Sequence, residues 1–302
     1  MKDLDPAGLD CLAALADERS FERAAETLAI TQSATSQRLR SLEAQVGQLL
    51  VVRSRPLRLT EAGKLLLRYA RQLQALRADA LRELGAPASG HRLPIAINAD
   101  SLATWVLPAL DGLAQRGLRE GFGLELVVDD QDFTHDWLRQ GEVLGCVSTV
   151  RQALQGCSVQ PLGVMRYVAA ASPGFLAAHP PLSGSSLAQL PFVVFNRKDD
   201  TQQHWVRQAL GLRSARLHAR YVPSSEAYVQ AVCMGWGIGV APELQLRPLL
   251  HKGTLVAIRP EVAVEVALYW HQWRLAPQGQ AGTALLDQIG EALLEGARRA
   301  LG

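Results

Sequence analysis

Between Gln32 and Ser41 the chain gathers Gln32, Ser33, Ala34, Gln37, Arg38, Arg40 and Ser41. Amide and guanidinium side chains carry paired donors and acceptors that fit adenine and guanine edges, while hydroxyl and methyl groups suit phosphates and thymine methyls. Such chemistry needs the residues presented on one surface. Counted at about 100° per residue from Thr31, Thr35, Leu39, Leu42 and Val46 share a narrow core-facing stripe. Ser33, Gln37, Arg40 and Ala44 fall opposite, flanked by Ala34, Arg38 and Ser41, with Gln32 at the N-terminal end. The pattern suits a helix entering the major groove of DNA. Taken alone, it also suits an ordinary solvated helix face.

The surrounding elements favour the first reading. Leu9, Leu12, Ala13, Leu15 and Ala16 keep helical spacing, so a first helix precedes the motif. Ser20 is a candidate N-cap for a second helix, whose small Ala24 and Ala25 let a neighbour cross closely, and Thr31 is the candidate N-cap of the third. After Gly47, Leu49–Val52 reads as a buried strand and Arg53-Ser54-Arg55-Pro56-Leu57-Arg58 as a basic loop. From Thr31 to Arg58 there are five arginines (Arg38, Arg40, Arg53, Arg55, Arg58) against one acid, Glu43, although the whole chain of 302 residues carries only +2. Bound DNA requires local positive charge rather than a basic whole. Arg53, Arg55 and Arg58 are expected to form a wing over the flanking backbone, with Gln32, Ser33, Gln37 and Arg38 at base edges. A long helix then begins at Leu59-Thr60-Glu61-Ala62-Gly63. Its stripe of Leu65, Leu66, Tyr69, Leu73, Leu76, Ala80 and Leu84 is expected to pack against a second copy, the alternative being its own chain.

Phe21, Ala24, Ala25, Leu28, Gln32, Ser33, Ser36, Leu42, Glu43, Gly47, Arg53, Leu59, Thr60 and Gly63 together resemble the N-terminal pattern of the LysR-type transcriptional regulators. One departure is Leu50-Val51, where that family often has Leu-Phe. The resemblance implies a winged helix-turn-helix over residues 1–60, a dimerisation and linker helix with a hinge over 61–90, and an effector domain over 91–302.

The rest of the chain fits that outline. Gly85-Ala86-Pro87-Ala88-Ser89-Gly90 reads as a hinge. Strands at 93–98, 124–128 and 143–148 alternate with helices at 101–115 and 134–140, a βαβ pattern. A second set follows, with strands at 168–170, 192–195, 217–221 and 238–240, helices at 202–210 and 225–234, and a closing helix at 281–301. Chain crossovers near 150–160 and 270 resemble the periplasmic-binding-protein fold, with lobe I at about 91–156 and 271–302 and lobe II at about 157–270. The fold class expected is thus α/β, with an N-terminal all-α winged helix-turn-helix, a long linker helix and a two-lobed effector domain holding a small ligand.

Enzymatic readings find little support. Gly235-x-Gly237-x-Gly239 follows a helix and enters a strand, the reverse of a dinucleotide loop. The seven histidines and the scattered Cys11, Cys146, Cys157 and Cys233 lack metal-ligand spacing, and no Gly-x-Ser-x-Gly elbow occurs. No catalytic set, metal or cofactor is expected. The start of the chain has no apolar signal core and no segment matches a membrane span, so a cytoplasmic protein is expected.

Asn98-Ala99-Asp100-Ser101 ends a strand at a helix start, where backbone N–H groups and a hydroxyl suit a carboxylate; Asp100 or Ser101 capping its own helix is the alternative. Asp129, Ser148, Asp200, Ser225 and Glu226 join Asp100 and Ser101 as candidate effector residues. Acids at helix starts also arise for dipole reasons alone. Together they suit a ligand with one carboxylate and a cationic end. The stretches 98–105, 224–230 and 268–271 resemble the ArgP/LysG subgroup, although Gly145 stands where many relatives carry an Asp. That likeness implies a lysine or arginine effector, control of basic amino acid export or metabolism, and as partners promoter DNA, further copies of the chain (homodimer or homotetramer) and RNA polymerase. The alternatives are the same architecture with another amino acid or an organic anion as effector, or a cytoplasmic solute-binding or enzymatic α/β protein with a helical dimerisation appendage.

Overall fold

The computed structural model describes residues 4–85, 91–129, 134–214, 216–275 and 284–302; the side chains of His91 and Asp129 lie outside that description. Four helices and a short hairpin open the chain: α1 (Pro6–Glu18), α2 (Phe21–Thr27), α3 (Gln32–Val46), β1 (Val51–Val52), β2 (Arg58–Leu59) and α4 (Glu61–Glu83). Several boundaries have a local cause. Asp5 accepts from Ala7 N and Gly8 N at 3.2 Å to start α1, and Thr31 accepts from Ala34 N at 3.1 Å to start α3. Gly47, at φ 75°, ends α3. Ser20 does occupy the N-cap of α2, but its hydroxyl makes no capping bond.

The hairpin is held by residues that stood out as motif. Glu43 accepts from Leu50 N at 2.8 Å. Thr60 donates to the Leu49 carbonyl at 2.7 Å and accepts from Gly63 N at 3.0 Å, so one hydroxyl ties strand to helix. A Cβ on Gly63 would stand 2.0 Å from the Leu50 carbonyl oxygen, a spacing only glycine tolerates. Leu12, Leu15, Ala24, Leu39, Leu42, Leu50, Leu57, Leu59 and Leu67 form one core beneath these elements. The four-residue buried strand expected at Leu49–Val52 is shorter: Leu50 and Val51 are buried, whereas Leu49 and Val52 face outward.

Beyond residue 90 come β3 (His91–Asn98), α5 (Ala99–Ser101), a π-helical turn (Leu102–Val106), α6 (Leu107–Glu120), β4 (Phe122–Asp129), α7 (Thr134–Arg139) and β5 (Gly145–Ser148). Then follow β6 (Cys157–Ala171), α8 (Pro173–Ala178), a 3-10 turn (Leu187–Gln189), β7 (Pro191–Val194), α9 (Thr201–Leu210), β8 (His218–Tyr221), α10 (Ser225–Cys233), β9 (Gly239–Pro242), α11 (Glu243–His251), β10 (Val256–Trp273) and α12 (Leu285–Leu301). The chain forms two compact units, Met1–Ile97 with Asp111–Gln160 and Trp270–Glu291, and Asn98–Leu110 with Pro161–Tyr269 and Ala292–Gly302. In the first, β4, β3 and β5 are neighbours in that order, with Ile95 opposite Gly145 in a parallel pair. In the second, β6 and β9 pair antiparallel and β7 and β8 parallel, over a core that includes Val193, Tyr228, Val232 and Leu246. The parallel pairs bear out the α/β class.

Two strands exceed their sequence outlines, and one helix had none. β6 and β10 run far beyond the expected segments, across Pro161 and Pro260, and α11 contains Pro248. Proline normally marks a boundary, so it hid continuity that tertiary pairing sustains. The closing helix begins at Leu285; residues 281–283 and most of the expected hinge lie outside the described residues.

Candidate functional site

The N-terminal surface starts from the burial of α3. Thr35, Leu39 and Leu42 are buried and Val46 packs on the same core, whereas Gln32, Ser33, Gln37, Arg40 and Ser41 are exposed. Ala34 and Arg38 are half-buried on the flank. Gln32 and Ser36 line a groove of about 480 Å³ with Ser20, Phe21, Arg53 and Arg55. The Arg53 guanidinium lies 5.3 Å from the Phe21 ring centroid, and Leu57 N donates to the Arg19 carbonyl at 3.3 Å, which anchors the hairpin loop. Helix end and basic loop thus share one cationic groove. Ser36 is the residue that reading by helical face passed over: it sits off the outward stripe but beside the loop. Arg58 is placed elsewhere, in a second cavity with Arg19, Lys64 and Glu142.

The second cluster lies at the junction of β3 and α5. Asp100 accepts from Tyr167 Oη at 2.8 Å and from Ser225 Oγ at 2.8 Å. Gln245 Nε2 donates to the Ser225 carbonyl at 3.3 Å and fixes that partner. Thr104 Oγ1 donates to the Asp100 carbonyl at 2.6 Å inside the π-helical turn, a distortion that recurs at functional sites. Asn98 supplies the N-cap position of α5 and makes no side-chain capping bond. Ser101 Oγ and Asn98 Oδ1, in residues 0 % and 2 % exposed, have no hydrogen-bond partner among the described residues. Buried polar atoms of this kind call for a ligand or ordered water, because leaving them unmade costs about 1–3 kcal/mol each.

The other candidates make contacts of their own. Ser148 is buried at the end of β5 and accepts from Val150 N at 3.2 Å. Asp200 is exposed and lies 3.3 Å from His204 Nδ1; Glu226 is exposed in the first turn of α10. The Asp129 side chain is outside the described residues. Tyr167 and Gln245, by contrast, had no sequence signal, since Tyr167 is 67 positions from Asp100 and only the fold joins them. At Gly145 a Cβ would meet the Trp270 indole at 2.3 Å, so an acidic side chain there would require Trp270 to move.

Among the described residues there is no group of three potential metal ligands, and no helix is long and apolar enough to cross a membrane. Burial pushes the Cys11 thiol up to about 11 and Cys157 up to about 12, which leaves both protonated and unreactive at neutral pH.

Comparison with known proteins identifies the family. Residues 7–64 match the bacterial regulatory helix-turn-helix model of the LysR family, and residues 88–293 match the LysR substrate binding domain. The regulator ArgP of Aeromonas salmonicida is 41% identical over 305 residues, covering 100% of this chain and 99% of that protein. ArgP from Mycobacterium tuberculosis superposes with a TM-score of 0.82 at 38% identity, covering 98% of each chain. Full-length LysG from Corynebacterium glutamicum, solved with the effector arginine bound, has a TM-score of 0.73 at 35% identity and covers 98% of this chain and 99% of that one. With two domain models in series and full-length relatives at this identity, the chain belongs to the LysR-type transcriptional regulators.

Proposed function

We propose that this regulator answers to a basic amino acid, arginine or lysine, held at the start of α5. The observation that carries the reading is the pair of buried, unpartnered atoms beside Asp100. In this reading Ser101 Oγ donates to the ligand carboxylate, Asn98 Oδ1 accepts from an ammonium, and the Asp100 charge balances a cation. Tyr167 and Ser225 orient that carboxylate through their O–H donors. The arginine bound in the related LysG supports the same ligand class.

On DNA, Gln32, Ser33, Gln37 and Arg38 read base edges while Arg53 and Arg55 hold the backbone. Residues 1–60 act as the reading domain, 61–90 as the linker and 91–302 as the effector domain. The protein works in the cytoplasm as a dimer or a pair of dimers, without catalysis. A thermal screen of the twenty amino acids tests the ligand: arginine or lysine stabilises the fold by mass action, by about 2.7 kcal/mol at a hundredfold excess over Kd, and so raises the melting temperature. Stabilisation by neutral or acidic amino acids alone would refute the basic-effector reading and leave the family intact.

A further inference from the structure

The turn after α7 makes contacts that neither the DNA surface nor the Asp100 cluster uses. Glu142, whose side chain is 11% exposed, accepts from Arg19 Nη2 at 2.7 Å. A carboxylate that buried depends on its cation, because losing the partner strands the charge. Arg19 closes α1 in a left-handed conformation, φ 52°, and its carbonyl holds the basic loop through Leu57 N. The neighbouring Gly141 has φ 75°, and a Cβ there would lie 2.7 Å from the backbone N and Cα of Arg68 in the middle of α4. Both the φ and the spacing demand glycine. The Arg68 guanidinium in turn lies 4.9 Å from the Trp273 ring centroid, and farther along α4 Asp79 accepts from Leu285 N at 3.2 Å. Arg58 and Lys64 line the same cavity of about 430 Å³ as Arg19 and Glu142.

We propose that the Gly141–Glu142 turn is an intramolecular clamp that seats the winged helix-turn-helix and α4 on the effector domain, and that DNA affinity depends on it. The second half rests on the DNA-binding reading of α3 and its wing. Two independent grips, one ionic at Arg19 and one backbone-to-backbone at Arg68, fix the reading domain in one pose. A pose fixed beforehand spares DNA binding the cost of ordering it. Release of the turn therefore loosens α1 and weakens binding.

The test uses the full-length chain. Hydrogen exchange without DNA, over Leu12–Arg19 and Trp137–Glu142, is compared between wild type, Arg19→Gln, Glu142→Gln and the double variant. Each single change should raise exchange at both segments, and the double should be no worse than the worse single, since the two residues act as a unit. Gly141→Ala should reach the same state by the other grip. Affinity for a promoter fragment selected by the wild type should fall about threefold or more in Glu142→Gln, a residue with no proposed DNA contact. Unchanged exchange at Leu12–Arg19 in Glu142→Gln would overturn the clamp. Raised exchange with affinity within about twofold of wild type would overturn its coupling to DNA. A wild type that bound no promoter DNA would refute the DNA reading and the coupling, while exchange would still judge the clamp.

Discussion

Gln37 and Arg55 should fail in different ways when truncated. Gln37 faces outward from the middle of α3, so Gln37→Ala should cost about 1–3 kcal/mol on the true operator and relax preference at one base position. Arg55 belongs to the basic loop rather than to α3, so Arg55→Ala should weaken all sequences alike and flatten the salt slope. Gel shifts at several salt concentrations, with specific and random DNA, separate the two; an unchanged specificity ratio for Gln37→Ala would contradict the assignment. A second residue-scale consequence concerns His135 and His271, whose rings meet edge-on at 5.1 Å. Burial lowers both below the ordinary histidine value; Arg139 adds to the effect at His135 and His135 itself at His271. Lowered folded values favour the neutral rings, so this stabilisation is complete above about pH 6.5 and is lost as pH falls through the folded values. Melting temperature should fall on acidification more steeply in wild type than in His135→Gln; parallel curves would remove the pair from the account. The exposed polar face of α3 was legible from the sequence because its residues recur at helical period. Tyr167 and Gln245 were not, because nothing local marks a partner supplied by a distant strand or helix.

The element with the clearest unfinished business is α4. Leu66, Leu67 and Ala70 are buried against the N-terminal core, which corrects the expectation that Leu66 belongs to the outward stripe. Leu65 (52% exposed), Tyr69 (50%), Leu73 (47%) and Leu76 (41%) form a separate exposed row. A row of that kind on a helix suits a second copy of α4. Leu73→Glu would place a carboxylate in that seam and should weaken self-association by about tenfold or more, roughly 1.4 kcal/mol, and lower operator affinity with it. Light scattering checks this, and a stable wild-type monomer would contradict it. At this scale the sequence outlined the helix-turn-helix well, since α1 and α3 have side-chain caps, glycine stops α3 and the apolar stripe keeps a helical period. It underread β6, α11 and β10, because Pro161, Pro248 and Pro260 punctuate elements that neighbouring strands and helices hold together.

For the whole molecule, the family and the fold join a DNA-reading surface to an effector domain with its own polar cluster. The two sites need be linked only by a coupling free energy, so damage at one should leave binding at the other measurable. The Asp100 cluster states this most sharply. On the proposed reading, Asp100→Asn removes the charge assigned to the ligand cation; it also unsettles the Tyr167 and Ser225 donors and leaves α3 and its wing untouched. An unpaired cation in that site would lose hydration without compensation. Calorimetry of arginine and lysine binding to wild type and to Asp100→Asn, with promoter binding measured on the same samples, is therefore the direct test. The account predicts heat of binding with a basic amino acid in wild type, a loss of about tenfold or more in affinity in Asp100→Asn, and unchanged affinity for DNA without effector. No heat with either basic amino acid, or equal binding by both proteins, would contradict it.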